Sequence, residues 1–158
     1  MDAGNEEITM VLRPMEEEDA DSVAALTGML GYERPVEDIQ QWIAGLAGRR
    51  ETQRAWVASL EGEVVGWIEA SVELRLQTAA FTLIGGLVVK EGLRGRGIGR
   101  RLCECVERWS CEQGIGKVRV TSRSTREAAH RFYQRDGYEV TKTSLVFEKL
   151  VFEKKMEG

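Results

Sequence analysis

The segment from Leu87 to Leu102 constrains this chain more than any other. Residues Phe81 to Val89 are apolar or small and rich in β-branched side chains, the pattern of a buried strand. Ile98, Leu102, Cys105, Val106 and Trp109 then recur at spacings that place them on one face of a helix. Between the two, Gly95, Gly97 and Gly99 alternate, so the backbone can turn sharply and present N–H groups that no Cβ shields. A helix start carries unpaired N–H donors and a partial positive charge, which makes it an anion site. Arg94, Arg96, Arg100 and Arg101 flank this one. Their guanidinium groups suit a ligand with several phosphates better than a single carboxylate. Taken alone, the run reads equally well as a loop-to-helix turn with solvated arginines.

Two familiar phosphate patterns fail here. A P-loop needs Lys and then Ser or Thr after its last glycine, whereas Ile98 follows Gly97. A dinucleotide fingerprint needs a small residue where Arg100 stands. A pyrophosphate cradle of another kind is what remains.

Composition narrows the class. A chain of 158 residues is expected to form one domain, 1–158, with an ordered core over about 8–151. Its net charge of −4 argues against a general nucleic-acid binder, the arginine cluster being a local exception. No apolar run approaches a membrane span and no export signal opens the chain, so a cytoplasmic protein without membrane partners is expected. Cys103, Cys105 and Cys111 share one helix and the lone histidine, His130, is far along the chain. No metal site is therefore expected, and reduced thiols fit better.

In chain order, residues 8–13 read as a strand ended by Pro14, and 16–30 as a helix stopped by Gly31. Pro35 opens a second helix with Val36, Ile39, Trp42, Ile43 and Leu46 inward. Residues 54–60 and 64–76 form a hairpin. On its second strand Ile68, Ala70, Val72, Leu74 and Leu76 are assigned to the core and alternate with Trp67, Glu69, Ser71, Glu73 and Arg75. The latter face is either a wet surface or the place where Glu69 or Glu73 meets an amine. Gly85 and Gly86 inside the next strand mark a bulge or a close backbone approach. After the long helix come a strand at 117–123, a short helix at 125–135, and a closing hairpin of 138–142 with 144–151. The order is β-α-α-β-β-β-α-β-α-β-β, with the strands flanking the long helix parallel through a right-handed crossover.

Arg94-Gly95-Arg96-Gly97-Ile98-Gly99 resembles the Arg/Gln-x-x-Gly-x-Gly/Ala signature of the GNAT superfamily of acetyl-CoA-dependent N-acetyltransferases. Downstream, Arg126 to Tyr138, with Ala129, Phe132-Tyr133 and Gly137-Tyr138, resembles the second signature of that superfamily. Arg126 departs from it, standing where many members carry Asn. Leu12-Arg13-Pro14 with Glu18-Asp19-Ala20 resembles the usual opening, and Thr143 to Lys149 is similar to the end of aminoglycoside 6′-N-acetyltransferase-like members.

The resemblance implies an α/β (α+β) fold: a mixed, mostly antiparallel central sheet of about seven strands with flanking helices. It implies acetyl-CoA as cosubstrate, with cofactor contacts at Leu87, Val88, Val89, Arg94, Gly95, Arg96, Gly97, Ile98, Gly99, Arg100, Arg126 and Ala129. In such proteins the strand at 87–89 splays from the next and pairs with the pantetheine arm, while the first two helices border the acceptor cleft. The acceptor is expected to be a small-molecule amine, cationic given Glu69 and Glu73, or a protein amino group. A homodimer is compatible with the closing strands.

Acyl transfer needs a neutral amine, a donor for the oxyanion and a proton for the leaving thiolate. Tyr133, protonated at neutral pH, suits the last task once the second signature is taken into account. Glu69 and Glu73 are the candidate bases, acting through water, and a backbone N–H of 87–89 the oxyanion donor. His130 reads as structural or as a cofactor-side contact. The competing reading is an acyl-CoA sensor that binds without turnover.

Overall fold

Period-two patterning in the middle of the chain builds a five-stranded sheet in the order β1-β2-β3-β4-β5. The strands are β1 Met10–Pro14, β2 Gln53–Leu60, β3 Glu63–Arg75, β4 Thr78–Val89 and β5 Val118–Val120. The first four pair antiparallel, and β5 runs parallel to β4. The computed structural model describes residues 9–122 and 126–152. The chain divides into two compact units, one ending at Thr121 and the other beginning at Ser122.

In the first unit, helices α1 Ala20–Gly28, α2 Val36–Gly45 and α3 Ile98–Glu112 cover the sheet. Trp56 meets Trp109 of α3 edge-on, with ring centroids 6.1 Å apart. Its neighbour Val57 packs instead with Val23 and Leu26 of α1 and Ile39 and Ile43 of α2. Successive strand residues point to opposite faces, so α3 lies on one face and α1 and α2 on the other. Ile98, Leu102, Cys103, Val106 and Trp109 form the buried stripe of α3, and Leu102 and Ile98 pack where β3 carries Gly66 instead of a side chain. A buried polar link ties α3 to β4: Thr82 Oγ1 lies 2.8 Å from Ser110 Oγ, which donates to the Ile115 carbonyl at 2.7 Å. The α1 entry is fixed by Asp19, whose carboxylate takes both Arg13 guanidinium nitrogens at 2.7 and 2.8 Å and the Glu16 N–H at 2.8 Å.

Several expectations need correction. Residues 16–30 form a 3₁₀ turn, Glu17–Asp19, followed by α1, rather than one helix. Leu74 and Leu76 are exposed, not core, because the β3–β4 hairpin overhangs the sheet: β2 begins at Gln53, opposite Ser71. The seven expected strands are five among the described residues, since 138–142 and 144–151 form no hairpin. Apolar alternation there suits a sheet surface, but it does not supply a neighbouring strand to pair with. The second unit contains α4, Glu127–Arg135, ended at Gly137. Among the described residues no helix is long and apolar enough to cross a membrane.

Candidate active site

The glycine turn delivers α3 with its first amides uncovered. Gly97 is the N-cap residue at φ 78°, and Gly95 stands at φ 85°. A Cβ at either would meet nothing within 4 Å, so glycine is required there by the left-handed backbone and not by crowding. Ile98 anchors the helix in the core, while Arg94, Arg96, Arg100 and Arg101 stay exposed around the turn. Arg100 Nε lies 3.5 Å from Glu104 Oε1. Arg94 and Arg96 form no ion pair with a described residue, leaving both guanidinium groups available to an anion.

The strand that feeds this turn is bulged and open on one side. Glu69 lies opposite Gly86 and Ala70 opposite Ile84, so Gly85 is the extra residue of a bulge. β5 pairs with β4 only over Thr82 to Ile84. Past the bulge, Leu87, Val88 and Val89 are therefore paired with β3 alone among the described residues. The Lys90 N–H donates to the Val65 carbonyl at 2.7 Å, toward β3. Backbone groups alternate in direction along a strand, so those of Leu87 and Val89 point to the open side and those of Val88 toward β3. That is the edge an extended ligand needs for strand-like pairing.

On the α1–α2 face at the bulge sits Glu69. A Cβ on Gly85 would collide with Glu69 Oε1 and lie 2.9 Å from the carboxyl carbon. One on Gly86 would lie 2.8 Å from Trp67 Cη2 and 3.8 Å from Glu69 Cγ. The carboxylate thus lies flat over bare backbone, and burial pushes its pKa above the usual glutamate value. Glu73 lies four residues further along the same face, about 13 Å away at strand rise. Its Oε1 accepts from Ser71 Oγ at 2.9 Å. A shallow concavity on the helical side is lined by Ala24, Gly28, Glu33, Arg34 and Pro35.

The remaining expected residues belong to the second unit. Arg126 is the N-cap position of α4, exposed, and Ala129 and Tyr133 are half-buried along that helix. The Tyr133 ring meets Phe132 at 5.1 Å and Tyr138 at 5.7 Å, both edge-on. The Tyr138 N–H donates to the Tyr133 carbonyl at 2.9 Å, closing the helix end. The structure thus gathers Glu69, Leu87, Val89 and the Arg94–Arg100 turn on one continuous stretch of sheet and helix, and Arg126, Ala129 and Tyr133 on α4. Trp67 was not foreseen as a site residue. Register shifts between Glu73 and Arg75 and between Glu69 and Ala70 set it beside Val88 and Glu69 beside Gly86, so counting out from the hairpin tip would not have found it.

A bulged strand, open on one side past its bulge, thus runs into a glycine-and-arginine helix start. The pattern of the Acetyltransferase (GNAT) family matches residues 16–138, and the chain belongs to that family. That family uses acetyl-CoA. Over 83 residues it is 35% identical to an aminoalkylphosphonate N-acetyltransferase of Salmonella typhimurium, a match spanning 52% of this chain and 54% of that relative. Among solved structures, the aminoglycoside acetyltransferase AAC(6')-Iy with the bisubstrate analog CoA-S-monomethyl-acetylneamine superposes with a TM-score of 0.79. Identity is 18%, over 90% of this chain and 99% of that one. The 6'-N-acetyltransferase AAC(6')-Ih of Acinetobacter baumannii gives a TM-score of 0.77 at 19% identity, over 91% and 100%. These superpositions establish likeness of fold.

Proposed function

We propose that this protein moves an acetyl group from acetyl-CoA to the primary amine of a small cationic acceptor by direct attack. The observation that carries this reading is the continuity of the open edge at Leu87 and Val89 with the Arg94–Arg100 cradle. One ligand can pair with the first and place its diphosphate on the second. The fit is chemical as well as spatial: bare amides and the guanidinium groups of Arg94 and Arg96 match phosphate, and strand-edge groups match the amides of a pantetheine arm.

When bound, acetyl-CoA supplies an acyl carbon activated as a thioester. Glu69 accepts the proton that the acceptor ammonium must lose before its lone pair can attack, directly or through one water. Its raised proton affinity suits that task better than an ordinary surface carboxylate would. Glu73, on the same face, offers a negative charge to a second cationic group of the acceptor. The Val89 N–H is the oxyanion donor, being on the open edge past the bulge. Tyr133 hands its phenol proton to the sulfur as the carbon–sulfur bond breaks, and the second proton, shed by the nitrogen as the amide forms, passes through water to restore the phenol. No covalent acyl-enzyme is required. Relatives named for aminoglycosides and aminoalkylphosphonates support an amine acceptor.

A thiol-release screen with acetyl-CoA against polyamines, amino sugars, aminoglycosides and aminoalkylphosphonates tests the proposal. Turnover is expected with at least one polycation. Tyr133→Phe is expected to lower kcat about 100-fold with acetyl-CoA binding retained. Binding without turnover on any amine would instead mark an acyl-CoA sensor.

A further inference from the structure

The glycines of β4 and those of the cradle serve opposite purposes. Gly95 and Gly97 have room for a side chain but hold a left-handed backbone, whereas Gly85 and Gly86 hold an ordinary backbone but have no room. What fills that room is Glu69 over Gly85 and the Trp67 indole over Gly86, with Glu69 Cγ approaching the same point as the indole edge. We propose that Gly85, Gly86 and Trp67 form a seat that fixes the Glu69 carboxylate at the bulge and keeps water from it. Gly85 and Trp67 are thereby positioning residues for the base. The inference rests on the reading of Glu69 as general base.

A glutamate on an exposed strand face swings through three side-chain torsions and is fully hydrated. Here the missing Cβ atoms let the side chain lie down across β4, and the indole walls one side of it. Trp67 is itself braced by the α1–α2 core cluster. Among the described residues no countercharge offsets the loss of water. β2 presents Ala55 opposite Glu69, β4 presents the glycines, and the buried face of α1 is Ala20, Val23 and Leu26. Along β3 the next titratable side chain on this face is Glu73, bonded to Ser71, and beyond it stands Arg75. Burial alone thus holds the proton more tightly. A base with higher proton affinity, fixed in one place, abstracts a proton faster at neutral pH than a mobile one of ordinary affinity.

Carbon-13 NMR titration of the side-chain carboxyl signals, with Glu69→Gln assigning the resonance, reads the seat without substrate. Wild-type Glu69 is expected to titrate above the exposed glutamates. In Gly85→Ala the added methyl lifts the carboxylate off the strand, and its midpoint is expected to fall toward theirs. Trp67→Leu, which thins the wall but leaves the glycines, is expected to move it the same way, and it serves if Gly85→Ala does not fold. With acetyl-CoA and an amine that turns over, the acidic limb of kcat/KM is expected to follow, with kcat down about tenfold and KM for acetyl-CoA unchanged. A Glu69 midpoint unmoved in both variants overturns the seat. Should the midpoints move while Glu69→Gln keeps full activity, the base assignment fails and the seat survives as a structural feature only.

Discussion

Glu69 and Asp19 are both carboxylates held out of water, and the protein treats them in opposite ways. Burial raises the proton affinity of each, but Asp19 has the Arg13 guanidinium and the Glu16 N–H to outweigh burial, so its pKa lies below the usual aspartate value. A pKa lowered by folding gives stability that is present above the unfolded pKa and lost as pH falls through the folded one. Asp19→Asn is therefore expected to cost about 2 kcal/mol at neutral pH and progressively less in acid, measured by urea unfolding. Glu69 has no such partner among the described residues, and its pKa is raised by burial. Its charged form burdens the fold once pH rises through that raised value, and the burden is absent below the unfolded pKa. Glu69→Gln is thus expected to raise the urea midpoint at pH 7.5 by an amount that disappears near pH 4, about where free glutamate titrates. A stabilising substitution that also removes activity is the mark of a residue kept for chemistry. Equal midpoints at both pH values would contradict the burial argument.

At the scale of elements, the cradle is a backbone device first and a charge device second. Gly97→Ala forces a Cβ into left-handed geometry at the α3 N-cap and is expected to cost about 1–2 kcal/mol in stability. Its larger effect should be on acetyl-CoA, since relaxing the turn re-aims the first amides of α3. A tenfold or greater loss of affinity by calorimetry is expected. Arg94→Ala and Arg96→Ala leave the backbone alone, so each should weaken binding by a few-fold and flatten its dependence on salt. Most of this geometry was legible in the residues: the strand-turn-helix of 81–109, the stopping glycines, and the bulge implied by Gly85-Gly86 all stand where their chemistry placed them. The fate of the face opposite the core was not legible. Alternation along β3 separates two faces but does not say that Glu69 would lie over the glycines of β4 and out of water, because its burial comes from other elements. The same limit explains Leu74 and Leu76, whose apolar pattern continues past the point where β2 ends.

For the whole molecule, the order came through: sheet neighbours follow the chain, and among the described residues the one parallel pair is that joined through α3. The closing strands did not. Val140, Leu145, Val146, Phe147, Leu150, Val151 and Phe152 carry strand-like chemistry yet stay exposed in a segment without strand structure. Their composition expresses a preference, while pairing requires an edge that no single segment encodes. The proposed ligand lies along β4 and across the start of α3. Isothermal calorimetry of the full chain with acetyl-CoA measures this most directly. Saturable binding is predicted, weakened by rising salt and by Gly97→Ala, with free CoA binding comparably because the diphosphate supplies the grip. Absence of heat with either ligand at millimolar concentration, or affinity indifferent to both salt and Gly97→Ala, would contradict it.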